Sequence, residues 1–234
     1  MAITITRHAQ TDYSAKYLVN GDPTRPVGLT SEGRYACGAL GRQIDKRHVR
    51  TWIVTRFGRT HETARLVAGN AVDLVTEHLL DELDYGWFDG GAFLAYGAWL
   101  DRHGGWRRPP GATESQREGL LRMLRGLRAS LEHPGPQVVI AHGLLVSMIR
   151  WYADDGVAPM PLFFPEAPYA QPLELQDDDL DAMISDLTGL LHAERDAPDT
   201  PAVGKELKRE EWLRIATVEP SVRTTPTLKD SHHA

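Results

Sequence analysis

The sequence has almost no cysteine and no long apolar run. Cys37 is the single cysteine among 234 residues, so an internal disulfide is excluded, and such low cysteine usage is typical of reducing compartments. No apolar stretch reaches the roughly 20 residues that a membrane-spanning helix needs. The first residues also lack the hydrophobic segment of a secretory signal peptide. We therefore expect a soluble, cytoplasmic protein with no membrane partner.

An excess of positive charge is absent as well. The chain carries 26 lysines and arginines against 32 acidic residues, a formal net charge of −6 at pH 7. Nucleic acids and anionic lipid surfaces select basic patches, so neither is expected as a partner. The hydrophobic content of 41% and the charged content of 25% are ordinary for a globular protein. The length suffices for one domain with a sizeable core.

Short apolar segments alternate with amphipathic ones over the first two thirds of the chain. Strands are predicted at residues 2–6, 51–55, 71–76 and 137–141, the last of them apolar throughout, as in a strand buried on both faces. Helices are predicted at residues 29–48, 60–69, 113–133 and 144–153. Thr60 is the predicted cap and Gly69 the predicted end of the second helix, and Thr113 with Gln116 is the predicted capping box of the third. The alternation indicates an α/β fold, a three-layer sandwich in which helices flank a mostly parallel central sheet.

The character of the sequence changes after about residue 153. Prolines crowd residues 159–172, and an amphipathic helix is predicted from about Asp178. We therefore divide the chain into a core at 1–153, a proline-rich loop and helix packing on the core at 154–193, and a linker with a mobile tail at 194–234. The sequence leaves open whether this helix covers a sheet edge, forms a lid or mediates a homodimer.

Charged side chains follow each predicted strand at the point where it ends. They are Arg7 and His8 after the first strand, Arg56 and Arg59 after the second, Glu82 in the loop after the third, and His142 with Gly143 after the fourth. In open α/β sheets, ligands bind outside the carboxyl ends of the strands. Buried cations are costly unless a counter-charge compensates them. The pattern therefore predicts an anion-binding pocket at this edge.

The chemistry of these side chains suits a phosphomonoester. Arg7 and Arg59 offer paired donors to phosphoryl oxygens, and the helix after His142 adds backbone donors at its N-terminus. A neutral imidazole such as that of His8 can attack phosphorus and form a phosphohistidine. Glu82 is the candidate acid that protonates the leaving alcohol, although Asp81 and Asp84 stand close to it in the sequence.

Several segments resemble the motifs of the histidine phosphatase superfamily, the phosphoglycerate-mutase-like enzymes. "RHAQT" at 7–11 resembles that family's RHG(E/Q)(S/T) signature, and "TRFGRTHETA" at 55–64 resembles its SxLxRAxQTA segment. "DELDYGWFDG" at 81–90 is similar to xEIDFGxWEG, "VVIAHG" at 138–143 to the strand that carries the second histidine, and "PVGLTSEG" at 26–33 to PLTxxG. These motifs occur in the family's order across residues 1–153.

The resemblance implies a phosphoglycerate-mutase-like fold and a phosphatase that needs neither a metal nor a cofactor. The expected substrate is a small phosphorylated metabolite. His8 and Glu82 would be catalytic, and Arg7, Arg59 and His142 would bind the phosphoryl group. A mutase is the alternative, although mutases of the family usually carry "ERHYG" where this chain has "DELDYGWFDG". A metal hydrolase and a non-catalytic phosphate-binding module are further hypotheses.

Departures from the family pattern and nearby polar residues supply further candidates for substrate binding. These are Thr11, Ser14, Asn20, Gly21, Arg107, Arg108 and Gly143. Ser14 stands where many members carry a phosphate-holding asparagine, and Asn20 stands where members often contact substrate. Arg107 and Arg108 resemble a mutase segment that grips a second anionic group, but an exposed basic loop explains them equally well. For Thr11, an ordinary turn is the alternative.

Overall fold

A computed structural model of the protein describes residues 2–154, 156 and 159–196. Its sheet contains β1 (Ala2–Arg7), β2 (Thr51–Val54), β3 (Leu74–Thr76), β4 (Gln137–Ala141) and β5 (Leu173–Gln176), in the order β3-β2-β4-β1-β5. The first four strands are parallel to one another, whereas β5 pairs antiparallel with β1 at the edge. The predicted mostly parallel sheet is confirmed.

Helices cover both faces of this sheet. They are α1 (Ser31–Gln43), α2 (Gly58–Ala68), α3 (Phe93–His103), α4 (Gln116–Ser130), α5 (Gly143–Ala153) and α6 (Asp177–Asp196). On one face, α1 and α2 bury Leu40 and Val67 against Trp52 and Ile140 of the sheet. On the other face, α5 packs against β1, and α4 packs against α5 and α6. The three-layer α/β sandwich predicted from the sequence is therefore confirmed.

The strand order brings the predicted site residues together. β4 lies between β1 and β2, and Arg7 of β1 is in register with Ala141 of β4. The amide of His8 then donates to the Ala141 carbonyl over 3.0 Å. His8 and His142 are the first residues after the adjacent parallel strands β1 and β4. Their side chains therefore lie next to each other at the carboxyl edge of the sheet.

Two predicted helix starts are wrong. α2 begins at Gly58 rather than at a Thr60 cap, and the Thr60 hydroxyl donates to the Phe57 carbonyl over 2.9 Å inside the first turn. The capping box of α4 is formed by Ser115 and Glu118, not by Thr113 and Gln116. A carboxylate at the third helical position is a stronger acceptor beside the positive helix end than an amide. The predicted end of α2 at Gly69 is confirmed, since that residue has a φ of 108°.

The C-terminal third is described only up to Asp196. α6 buries Leu180, Ile184, Leu187 and Leu191 on one face, as the amphipathic pattern predicts. Residues 197–234, which include nearly all of the predicted tail, lie outside the described residues, and the division at 153 and 193 stays a prediction. No helix within the described part combines the length and apolar character that crossing a membrane requires.

Candidate active site

His8 follows β1 and is buried at the centre of the site. Its Nδ1 lies 2.8 Å from the Ala9 carbonyl oxygen, which can only accept, so Nδ1 carries the proton and Nε2 carries the lone pair. Nε2 accepts a hydrogen bond of 3.1 Å from Arg59 Nε. Burial, helped by the charges of Arg59 and Arg7, holds the pKa of His8 well below its usual range. The imidazole is therefore neutral at neutral pH, the form a nucleophile requires.

Arg59, on the first turn of α2, links the histidines to the loop that contains Asn20. Its side chain is only 5% exposed. Nη1 donates to Asn20 Oδ1 over 2.6 Å, and Nη2 donates to the Asn20 carbonyl and to His142 Nδ1, each over 3.1 Å. These bonds hold a largely desolvated guanidinium in one orientation. A buried positive charge that is fixed in advance favours an anion beside it.

His142 follows β4 and is fully buried behind Arg59. Its Nε2 lies 2.9 Å from Thr55 Oγ1, and its ring meets that of His8 edge-on with centroids 5.4 Å apart. Burial, then the nearby Arg59 and His8, keep the pKa of His142 well below its usual range. The structure joins His142 to Arg59 and His8, but His142 is not among the described residues that line the cavity. Its hydrogen bond to the site is the one from Arg59.

Arg7, the last residue of β1, is held by a segment that sequence reasoning missed. Nη1 donates to Glu166 Oε1 over 2.7 Å and to the Ala167 carbonyl over 2.8 Å, and Nη2 donates to the Tyr169 hydroxyl over 2.8 Å. The guanidinium carbon also lies 3.7 Å from the centre of the Tyr169 ring. Nothing in the local sequence marks these contacts beyond the crowding of prolines around them.

Gly143 opens α5 directly beside Arg7. A Cβ atom at this position would approach Arg7 Nε and Cζ to 3.1 Å. The buried Arg7 Nε has no hydrogen-bond partner among the described residues. Gly143 and Arg7 both line the cavity, where a phosphoryl oxygen could accept from the N-terminus of α5.

Glu82 is the only one of the three neighbouring acids that lines the cavity in the described structure. The Asp81 carboxylate accepts hydrogen bonds from the side chain and the backbone amide of Arg56. Asp84 accepts from the amides of Gly86 and Thr113, over 2.9 and 2.7 Å. Burial raises the pKa of Glu82, and the positive charge of Arg59 opposes this shift. A carboxyl that keeps its proton to a higher pH is suited to act as a general acid.

Arg122 of α4 holds the loop that presents Glu82. Its Nη1 donates to the carbonyls of Leu79 and Asp81, over 2.8 and 2.9 Å, and its Nη2 pairs with Glu114 over 2.6 Å. Both partners of this ion pair are largely buried. Sequence reasoning did not single out Arg122, which stands in the helix among ordinary polar positions.

Replacing Arg122 with methionine should destabilise the protein by about 3 kcal/mol, because Glu114 would be left as a buried charge without its partner. The matched control is Arg128→Met, which breaks an exposed ion pair with Asp181 and should cost less than about 1 kcal/mol. Urea unfolding followed by circular dichroism measures both. Equal losses for the two variants would show that the loop does not depend on this pair.

The other predicted residues divide between the cavity and its surroundings. The cavity has a volume of about 270 Å³, and Thr11, Ser14, Asn20 and Gly143 line it. The Thr11 hydroxyl donates to Ser14 Oγ over 3.1 Å. Gly21 does not line it; a Cβ there would collide with the Leu83 carbonyl, so the glycine permits close packing of two loops.

Neither Arg107 nor Arg108 is among the described residues that line the cavity. The Arg108 guanidinium instead makes two hydrogen bonds of 2.7 Å to the Glu118 carboxylate. Of the residues predicted at the strand ends, the structure gathers Arg7, His8, Arg59, Glu82 and His142, whereas Arg56 pairs with Asp81 and, like Arg107 and Arg108, is not among the described residues that line the cavity.

Solved structures with the same fold come from several bacteria. A mycobacterial glucosyl-3-phosphoglycerate phosphatase in complex with VO3 is 22% identical, with a TM-score of 0.60 over 75% of this chain and 92% of the other. An alpha-ribazole phosphatase from Shigella flexneri is 18% identical, with a TM-score of 0.58 over 75% and 90%. YhfR from Bacillus stearothermophilus is 18% identical, with a TM-score of 0.61 over 75% and 90%. At these identities the likeness shows the fold alone.

A family model extends the comparison from fold to family. Comparison with curated protein sequences gives no significant match. In contrast, the model of the histidine phosphatase superfamily, branch 1, matches residues 3–162, about two thirds of the chain and all of the strand-end residues described above. The protein therefore belongs to the histidine phosphatase superfamily and is a phosphatase of that type.

Proposed function

We propose that the protein is a metal-independent phosphomonoesterase, which hydrolyses a small phosphorylated metabolite through a phosphohistidine intermediate. The observation that carries this proposal is the presence of a neutral imidazole, His8, and a half-buried carboxyl of raised pKa, Glu82, on the wall of one cavity. Simple binding of a phosphate group would need neither a nucleophile nor an acid, so a non-catalytic module is disfavoured.

The substrate phosphoryl group would bind between Arg7, Arg59 and the N-terminus of α5. Its oxygens would take over the Arg59 Nε donor that now meets His8 Nε2, which frees the lone pair for attack. His142 would stabilise the bound group through Arg59, to which it is hydrogen-bonded. Fixed donors aimed at the transferring group provide the largest share of catalysis in phosphoryl transfer.

The reaction would proceed in two displacements. In the first, the His8 Nε2 lone pair forms a bond to phosphorus, the bond to the ester oxygen breaks, and Glu82 gives its proton to the leaving alcohol. In the second, the Glu82 carboxylate accepts a proton from water as the water oxygen bonds to phosphorus. The P–N bond then returns its electron pair to His8, and inorganic phosphate leaves.

The surroundings of the histidines support a reaction without a metal. Arg59 donates to His8 Nε2 and also contacts His142 Nδ1, so the ring nitrogens that would hold a cation face a guanidinium. That positive charge repels a divalent metal and suits a phosphate dianion.

The structural neighbours bear on the substrate. One is described as a glucosyl-3-phosphoglycerate phosphatase and another as an alpha-ribazole phosphatase, which supports a small phosphorylated metabolite here too. The mutase alternative depends most on Arg107 and Arg108, which lie outside the cavity lining. The cytoplasmic location, the absence of a nucleic-acid partner and a homodimer stay predictions.

A direct test measures phosphate release from a panel of sugar phosphates, nucleotides and phosphoglycerates after exhaustive treatment with EDTA. We expect hydrolysis at an undiminished rate, and no conversion of 3-phosphoglycerate to its 2-isomer. Loss of activity with the chelator, restored by a divalent metal, would overturn the metal-independent mechanism. Isomerisation faster than phosphate release would favour the mutase.

A further inference from the structure

The cavity beyond the phosphoryl site has an aromatic wall. Tyr85 and Tyr96 pack edge-on with ring centroids 4.9 Å apart, and Phe93 lies 6.4 Å from Tyr96. Burial raises the pKa of both tyrosines, so their rings stay uncharged. This wall adjoins Glu82 and Leu83 in the cavity lining, on the side where the leaving alcohol must receive its proton.

The cavity also has exposed apolar side chains from three separate segments. Tyr17 is 70% exposed, Phe93 42% and Phe163 45%, and all three belong to the lining. The Phe93 amide donates to the Tyr17 carbonyl over 2.7 Å, which joins two of these segments. Exposed apolar side chains that converge on a cavity are typical of a binding surface.

The backbone of Tyr17, one of these three exposed residues, is strained. Its φ of 55° places a bulky residue in the left-handed region, which is uncommon outside glycine and asparagine. Such strain persists where the surrounding structure enforces it, often at ligand sites. The backbone at Tyr17 therefore holds an exposed ring at the mouth in a conformation that few residues adopt.

The charges of the lining disfavour a second anionic group on the substrate. Among the described lining residues, the arginines are Arg7 and Arg59, and both already serve the phosphoryl site. The acidic residues are Glu82 and Glu166. A carboxylate on the alcohol would therefore lose its hydration without gaining a cation, since the Glu166 carboxylate already pairs with Arg7.

We infer that the site selects phosphate monoesters of uncharged aromatic alcohols and discriminates against phosphoglycerates. This inference rests on the proposed function. The aromatic wall and the exposed rings of Tyr17 and Phe163 would bury the ring of the alcohol, whereas the carboxylate of Glu166, already paired with Arg7, would disfavour a second anion beside it. A cavity of about 270 Å³ has room for a small ring system beside the phosphoryl group.

The test compares three esters of alkyl alcohols, so that leaving-group strength does not dominate the result. They are 2-naphthylmethyl phosphate, glycerol 3-phosphate and 3-phosphoglycerate. We expect kcat/KM for the naphthylmethyl ester to exceed that for glycerol 3-phosphate by about 30-fold, as expected from burial of one ring system. The value for 3-phosphoglycerate should be lower still.

Two variants separate the apolar and the electrostatic contributions. Phe163→Ser should lower kcat/KM for the naphthylmethyl ester about 10-fold more than for glycerol 3-phosphate. The matched control, Leu94→Ser, changes an apolar side chain that is 73% exposed but does not belong to the described lining, and should leave the ratio unchanged. Glu166→Gln should raise kcat/KM for 3-phosphoglycerate several-fold relative to glycerol 3-phosphate, since a nearby negative charge is removed.

Different experimental results would contradict this inference and the proposed function. Hydrolysis in which 3-phosphoglycerate is the preferred ester, or an equal effect of Phe163→Ser on all three esters, would overturn the selectivity and leave the phosphatase mechanism intact. Absence of phosphate release from every ester would overturn both.

Discussion

His8→Asn should lower kcat/KM by about 10⁴-fold or more, the scale seen when a covalent nucleophile is removed. Asparagine keeps a polar side chain beside Arg59, but it has no nitrogen lone pair that can attack phosphorus. The Arg59 contacts with Asn20 and His142 do not involve His8, so the pocket for the phosphoryl group should persist. The rate should therefore fall without loss of the fold.

The phosphoenzyme provides a second measurement of the same prediction. Rapid quenching during turnover of a ³²P-labelled ester should trap label on the wild-type protein in an acid-labile, alkali-stable form, and none on His8→Asn. The control is His48→Asn, which removes an exposed imidazole paired with Asp45 and should keep both the label and the rate. A full rate in His8→Asn, or label that persists in it, would exclude His8 as the nucleophile.

Glu82→Gln should produce a loss that depends on the leaving group. For an alkyl phosphate, whose alcohol must be protonated as it leaves, we expect kcat/KM, which reports on the first displacement, to fall by about 10²–10⁴-fold. For 4-nitrophenyl phosphate the fall should be much smaller, because nitrophenolate leaves without a proton. Equal losses for both esters would show that Glu82 does not act as the acid in the first step.

The pH dependence follows from the two pKa shifts. His8 must be unprotonated, so kcat/KM rises as the pH increases through its pKa, which lies well below the usual range. Glu82 must be protonated, so kcat/KM falls as the pH increases through its pKa, which burial raises. The optimum should therefore lie on the acid side of neutrality. Glu82→Gln should flatten the alkaline side of the profile while the acid side remains.

The strand-end residues of the site could be predicted because their signals are local. An apolar run ends, the chain turns, and a cation or a histidine follows, as at Arg7 and His8 or at His142. Parallel strands end at one edge of a sheet, so the alternating pattern also predicts that these residues meet. The choice of Glu82 over its neighbours could not be made in this way, because the contacts of Asp81 and Asp84 with Arg56 and Thr113 bring together residues distant in sequence.

Other elements gave no usable local signal. α3 is mostly apolar and aromatic with a glycine at position 97, and the sequence pattern predicts no helix there. β5 has four residues, and it is a strand because it pairs with the edge of β1. Short edge strands depend on the partner they meet rather than on their own propensity.

The amino-acid sequence by itself determined the α/β class and the order of the strands along the chain, and it predicts the phosphate chemistry that we propose for Arg7, His8, Arg59, Glu82 and His142. Only the tertiary structure decided which groups hold them. Glu166 meets Arg7 across 159 positions of chain, and Asn20 meets Arg59 across 39. Hydrophobic periodicity specifies which face of an element is buried, but it carries no information on which polar side chains the packed elements bring within hydrogen-bonding distance.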